Sequence, residues 1–282
     1  MATATHQATR PVLPRAVREL ARTFNEHNLL TWASALSFQL LTAIVPFLLF
    51  GFALIGFLNL DSAWAELAKN IKPHMSGAAF KVVNDTAQKV LSQKQQWWLT
   101  IGFALAIWEV SGGIRAIMGG LNAIYNVEES RTWIERLRRS IAIALVISSF
   151  VIATIAVVWI SPLAYGDVGQ PLGALLFVAR WSIAALLLGL ATAITFRFAP
   201  NGYQPPRWVT IGTAIVVGAW VAASILFGLY IRFVASYGSI FGNLATIVVL
   251  FAYVYISSIV FFAGAQLDAI IRRQVEGHTQ RR

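Results

Sequence analysis

Residues 29–58 read LLTWASALSFQLLTAIVPFLLFGFALIGFL, a run with no charged side chain, bounded by Glu26 before it and Asp61 after it. A bilayer hydrocarbon core is about 30 Å thick, and about 20 apolar residues in a helix cross it with every backbone NH and CO satisfied internally. The run therefore predicts a membrane-spanning helix long enough to tilt. Pro46 lies in its interior and cannot donate an amide hydrogen, so the Thr42 carbonyl loses its partner and a bend is expected there. On a helical wheel Thr31, Ser34 and Thr42 fall within about 80° of one another, with Gln39 on the flank. That polar face is expected to point toward other helices.

The whole chain carries the same signature. Of its 282 residues, 57% are hydrophobic and 12% charged, and the mean hydropathy is +0.67. Soluble domains carry about a quarter charged residues, and this chain has too few to cover so much apolar surface in water. Five further runs match the first: about 97–120, 140–163, 171–196, 208–231 and 243–267. The predicted fold is all-α, a polytopic bundle of six transmembrane helices in a membrane domain of residues 29–271. Residues 1–28 and 272–282 are read as tails, with the first dozen residues and 274–282 lacking periodicity and expected to be mobile.

Orientation follows from Lys and Arg, which cytoplasmic loops retain. The two tails and the loops after the second and fourth spans hold fourteen of them, the opposite face holds six, and Arg115 and Arg180 lie within spans. Both termini are thus expected in the cytoplasm, with the protein multi-pass in the bacterial inner membrane. The net charge of +10 is explained by arginines facing anionic lipid headgroups, the expected membrane partner, and no nucleic acid is expected. A second copy of the chain is a further candidate partner. Between the first two spans, residues 59–96 carry Phe80, Val83, Ala87, Val90 and Leu91 at helical spacing, opposite Lys81, Asp85 and Lys89. An extracytoplasmic amphipathic helix is expected there, resting on the bilayer or capping the bundle; a lid over a cavity is the alternative.

Charges inside the spans mark the candidate pathway. Insertion of Glu109 costs at least about 2.5 kcal/mol, so it is expected to face inward toward a partner or a polar cavity. Arg115, six positions on, lies about 9 Å along the axis and well around the wheel, which predicts separate partners. Arg180, beside Trp181, is either a true intramembrane charge or snorkels to the outer interface. With Gln39, Thr42 and Pro46, these residues are the candidates for proton coupling or for attraction of an anionic cargo. Gly112, Ala116 and Gly120, and Ala214, Gly218 and Ala222, have the small-x3-small spacing that allows close helix approach. No catalytic, cofactor or metal site is expected: there is no cysteine, and His6, His27, His74 and His278 are far apart and lack metal-ligand spacing.

Several stretches resemble the YihY/BrkB family of bacterial inner-membrane proteins, over Leu29 to Ala269. The segment ASALSFQLLTAIVPF is similar to the family's small residues followed by Ser or Thr and then Pro, here Thr42 and Pro46. LNAIYNVEESR resembles its Asn-x-x-Tyr segment with a following Arg, matching Asn122, Tyr125 and Arg131. FRFAPN, with Pro200, resembles the end of its fourth helix, and the sixth helix is matched by Tyr237, Gly238 and Gly264-Ala265. Family members commonly have an acid after that Gly-Ala pair, whereas this chain has Gln266 and then Asp268. The resemblance implies six helices with both ends inside, and it brings labels of virulence factor, transporter and ribonuclease BN. The histidine cluster of a metal-dependent tRNA-processing nuclease is missing. The leading expectation is a transporter or a lipid-handling or export protein for an amphiphilic or anionic cargo. The alternatives are a scaffold binding an envelope partner through residues 59–96 and, third, a membrane-associated RNA-processing enzyme.

Overall fold

The computed structural model describes residues 12–72, 77–93, 96–165, 169–202, 206–234 and 238–279. Among them the structure is all-helical: α1 (Val12–Glu26), α2 (Leu29–Phe57), α3 (Asp61–Ile71), α4 (Gly77–Gln93), α5 (Gln96–Tyr125), α6 (Trp133–Tyr165), α7 (Gln170–Phe198), α8 (Pro206–Val234) and α9 (Gly238–Thr279). Six of these, α2 and α5 through α9, are long and apolar enough to cross a membrane. They neighbour one another in the order α2, α5, α6, α7, α8, α9 and back to α2, with α5 also touching α9. An even number of spans puts α1 and the end of α9 on one face, here the terminal face, and α3 and α4 on the far face. Because the chain has no cysteine, this is open to a clean test. Single thiols introduced at Ser92 and Gly277 are expected to react with an impermeant reagent from opposite sides of intact cells, and labelling from one side would overturn the six-span fold.

Several boundaries differ from the sequence reading. Residues 12–26 form a helix that packs on α9, with Thr23 buried and Phe24 against the main core. The C-terminal segment is also helical, since α9 continues to Thr279. Arg272 to Glu276 contain no Gly or Pro to stop it, and Arg273 donates to the Ile124 carbonyl at 3.1 Å. The arginines at 136, 138 and 139, read as loop, lie in the opening turns of α6. Its start is set by a Thr-x-x-Glu box: Thr132 NH donates to Glu135 Oε2 at 2.9 Å, and Glu135 NH to Thr132 Oγ1 at 3.4 Å.

Burial is uneven along the membrane normal. At the terminal face, Leu29, Ala33 and Leu36 of α2 join Met118 and Leu121 of α5, Phe196 of α7, Val216 of α8 and Phe262 of α9 in one core. At the far face a smaller core joins Phe52 and Ala53 of α2 to Trp64 of α3 and to Ala87, Val90 and Leu91 of α4. The apolar stripe of the expected amphipathic helix is thus spent on α2, capping that end of the bundle, while Lys81, Asp85 and Lys89 stay exposed. Between the far ends the packing thins. From Leu172 to Leu190, α7 buries only Ala184 among the described side chains, and α8 buries none from Val217 to Tyr230. Residues 224, 225, 226, 228, 229 and 230 of α8 are all exposed, and at 100° per residue they cover about two thirds of the wheel; the remaining sector carries Trp220 and Phe227, which meet Ser257 and Tyr253 of α9. Each far half keeps one narrow, half-buried stripe against its neighbours, along 173, 176, 180, 184 and 187 in α7 and 216, 220, 223 and 227 in α8, and turns the rest of its surface to hydrocarbon.

The small-residue spacings work differently from the backbone approach expected of them. Gly112 leaves room for the Gln39 side chain and Gly120 for the Phe262 ring, so both are sockets for side chains. The close backbone approach lies elsewhere. A Cβ on Gly102 of α5 would sit 3.0 Å from the Phe50 nitrogen and 3.1 Å from its Cα. Ala214, Gly218 and Ala222 face outward, exposed, with no atom within 4 Å of a Cβ on Gly218.

Candidate functional site

The α2–α5 seam holds the clearest polar group inside the bundle. Thr42 Oγ1 lies 2.8 Å from Glu109 Oε2. With its amide turned to satisfy both ends, Gln39 donates its nitrogen to the same oxygen at 3.0 Å and to the Glu109 carbonyl at 3.3 Å. Gly112, one turn beyond Glu109, makes the space in which Gln39 reaches it. The Thr42 hydroxyl has one proton and three acceptors, the others being the Phe38 and Gln39 carbonyls at 3.0 and 3.1 Å. It can therefore donate to an ionised Glu109, or accept from a protonated Glu109 while donating to its own helix. Gln39, by turning its amide, serves both states as well. Pro46 is buried one turn further along α2. The structure corrects the expected polar face of α2: Gln39 and Thr42 turn to α5, whereas Thr31 and Ser34 are exposed, Ser34 donating to its own Leu30 carbonyl at 2.8 Å. That turn of α2 is placed by Leu29, Ala33 and Leu36, which pack inward instead.

Arg115 points elsewhere, as its place on the wheel predicts. It donates to Ser111 Oγ at 2.9 Å and, across to α6, to Ser140 Oγ at 3.4 Å. Its guanidinium carbon stands 5.6 Å from the Trp108 ring centre. Arg180 belongs to neither group. It lies on α7, between Phe177 and Trp181, with its guanidinium carbon 5.4 and 5.8 Å from their ring centres. Among the described residues no ion pair joins Glu109, Arg115 or Arg180 to an opposite charge.

A second polar group closes the terminal face, and the motif residues meet in it. Asn122, buried at the end of α5, donates from Nδ2 to Glu129 Oε2 at 3.0 Å and accepts at Oδ1 from the Asn201 backbone NH at 2.8 Å. Arg131 donates from Nε to Glu129 Oε1 at 2.6 Å, and its far nitrogen to Glu129 Oε2 at 2.8 Å and to the Ala199 carbonyl at 3.2 Å. Asn201 returns two bonds, to the Glu128 carbonyl at 2.7 Å and to Ser130 Oγ at 2.8 Å. The loop after α5 and the end of α7 are thus clasped, with Pro200 fully buried beside them. Tyr125 packs against the main core. Gly264 admits Val216 of α8, whose Cα would lie 3.3 Å from a Cβ there. Gly238 opens α9, and Tyr237 lies outside the described residues. The sequence reading missed Glu129 and Asn201; a carboxylate two residues before Arg131 in a turn was the available signal.

Partial burial would raise the Glu129 carboxyl, but the Arg131 hydrogen bonds and charge, with Arg136 nearby, outweigh it and hold the group below the ordinary glutamate value. A carboxyl depressed on folding stabilises fully above the unfolded pKa and loses that contribution as pH falls through the folded one. Thermal stability in detergent is therefore expected to hold from pH 7 to about 5 and to fall below about 4.3, the unperturbed glutamate value. Glu129→Gln should lower the neutral-pH stability and flatten this acid limb; an unchanged limb would show that Glu129 is not its source.

Between α1, α2 and α5 on the same face lies a cleft of about 480 Å³, lined by Glu26, His27, Asn28, Thr31, Trp32, Ala123 and Asn126. His27 Nδ1 stands 2.9 Å from Oε1 of the fully buried Gln266. Asp268, two residues on, is buried against α8, where a Cβ on Gly212 would lie 2.9 Å from its carboxyl carbon.

A family model described as virulence factor BrkB matches residues 20–282. The chain belongs to the BrkB family. Among BrkB relatives, it is 26% identical over 268 residues to YfkH of Bacillus subtilis (strain 168), a ribonuclease-like protein by its name, covering 92% of this chain and 95% of that one. It is 29% identical over 87 residues to the UPF0761 membrane protein IL2447 of Idiomarina loihiensis, 31% of each chain. No solved structure matches this BrkB-family chain.

Proposed function

We propose that this BrkB-family protein moves or exports lipids or amphiphilic anions in the bacterial inner membrane, with the terminal face in the cytoplasm. The observation that carries the reading is the uneven packing: the spans are locked at the terminal face, while the far halves of α7 and α8 touch their neighbours along one narrow face and turn the rest to hydrocarbon. A bundle packed tightly at one end and thinly at the other gives an acyl chain lateral access. Glu109, with Thr42 and Gln39, and Arg115 supply polar groups inside the same membrane domain. Such movement needs a polar route through lipid and access from two sides, and it needs no nucleophile, metal or cofactor. The orientation is supported by the arginines of the terminal face, fourteen basic residues against six, which also suit anionic headgroups.

The test is reconstitution of the full chain into sealed vesicles carrying a headgroup-labelled anionic phospholipid. Loss of label to an impermeant quencher is expected to go beyond the outer-leaflet half on a timescale of minutes, while protein-free vesicles stop at that half. Equal behaviour of the two preparations, across phosphatidylglycerol and phosphatidylethanolamine probes, would remove the reading.

A further inference from the structure

Arg180 is a half-buried charge in this membrane domain with no opposite charge paired to it among the described residues. It lies ten residues after the start of α7, about 15 Å along an axis about 43 Å long. A helix of that length overhangs a 30 Å core by several ångström at each end. Arg180 therefore roots below the hydrocarbon boundary of the far leaflet, at a depth from which an arginine stem reaches the headgroup level. Its neighbours Phe177, Val178 and Trp181 are 56%, 61% and 50% exposed, so the half-buried Arg180 sits at the edge between the packed face of α7 and its lipid face. Phe177 and Trp181 flank the guanidinium and restrict it. Nε is buried yet has no acceptor, and among the described residues the side chain makes no ion pair or hydrogen bond. A guanidinium is always charged, and a cation held in lipid without a protein anion costs several kcal/mol.

We propose that Arg180, framed by Phe177 and Trp181, binds the phosphate of a phospholipid in the leaflet at the far face. Guanidinium matches a phosphodiester through paired N–H donors, the two rings receive the first methylenes of the acyl chains, and the exposed surface of α7 beside them leaves room for the rest. The site deepens the lipid-handling reading by naming the group recognised. Binding is read separately from movement, so that either can fail alone.

The full-length chain, purified and stripped of lipid in detergent, is titrated with three probes: phosphatidylglycerol, a galactosyl diacylglycerol lacking phosphate, and inorganic phosphate. Native mass spectrometry counts bound lipid. Phosphatidylglycerol is expected to bind about tenfold more weakly to Arg180→Met than to wild type, as loss of a charge-assisted bond implies, with Arg180→Lys in between. The galactolipid should bind both proteins equally and weakly, and millimolar phosphate should not displace phosphatidylglycerol. Equal phosphatidylglycerol binding by Arg180→Met and wild type would overturn the site, as would galactolipid binding as tight as phosphatidylglycerol. Displacement by free phosphate would make it an anion site and overturn the lipid assignment. Should Arg180→Met fail to fold, a phospholipid with a photoreactive group near the headgroup decides the matter on the wild-type chain: crosslinks within residues 174–184 are expected, and their absence overturns the proposal.

Discussion

Asn122→Leu is expected to cost about 3 kcal/mol of stability. Leucine keeps the branched outline of asparagine, so the loss is chiefly one of hydrogen bonds. The Asn201 backbone NH loses its acceptor at 2.8 Å, and Glu129 loses a donor at 3.0 Å. Each stranded polar group costs about 1–3 kcal/mol, so the two cost about 2–6 kcal/mol, and partial exposure of Glu129 holds the sum in the lower part of that range. In detergent this corresponds to a fall of roughly 6 °C in unfolding temperature. Asn122→Asp separates the two bonds. Its carboxylate still accepts from Asn201 but repels Glu129 at neutral pH, so it should be at least as damaging at pH 7 and recover partly toward pH 5. Ser34→Ala, which removes only an exposed bond within α2, should leave stability unchanged. An Asn122→Leu protein as stable as wild type would mean that the loop after α5 and the end of α7 hold together without the clasp.

Most of the membrane architecture is legible in the chain, because in a protein this apolar an uncharged run of about 20 residues is far more often a membrane span than a buried core helix. Both ends of the first span are legible to within one residue, since Asn28 and Asn59, both at positive φ, close the helix with polar residues on each side. The ends of α5, α6 and α9 escape hydropathy for one reason. Hydropathy marks where lipid stops, whereas helices stop where backbone groups find other partners, and Thr132 with Glu135, or Arg273 with Ile124, continue them past the hydrocarbon. The candidate site is partly legible. Glu109 stands out through its cost in lipid, and Thr42 through its place on the wheel. The pairing of Glu109 with Gln39 depends on Gly112 being a socket for a side chain, which spacing alone cannot distinguish from a helix contact. The clasp joins residues far apart in sequence, from Asn122 to Asn201, and the sequence offers their identities without their proximity.

The contrast between stability and movement decides what Glu109 is for. Glu109→Gln keeps the shape of the side chain and an oxygen that accepts from Thr42 and Gln39, but it removes both the charge and the exchangeable proton. Burying a neutral amide in a span costs less than burying a carboxylate, so the variant should unfold at the same temperature as wild type or slightly higher. If the group works by changing its protonation, lipid movement in sealed vesicles should nevertheless fall at least tenfold. Gly112→Val separates position from charge. Its side chain meets Gln39 and pushes it off Glu109, leaving the carboxylate with Thr42 alone, so both stability and movement should fall together. Arg115→Ala loses the bonds to Ser111 and Ser140 and should lower movement more than expression if it lines the route. A Glu109→Gln protein that is less stable than wild type and moves lipid at the full rate would make the α2–α5 seam a packing device. The reverse pattern is one that a structural hydrogen bond has no means of producing, because the bond survives the substitution and only the proton is lost.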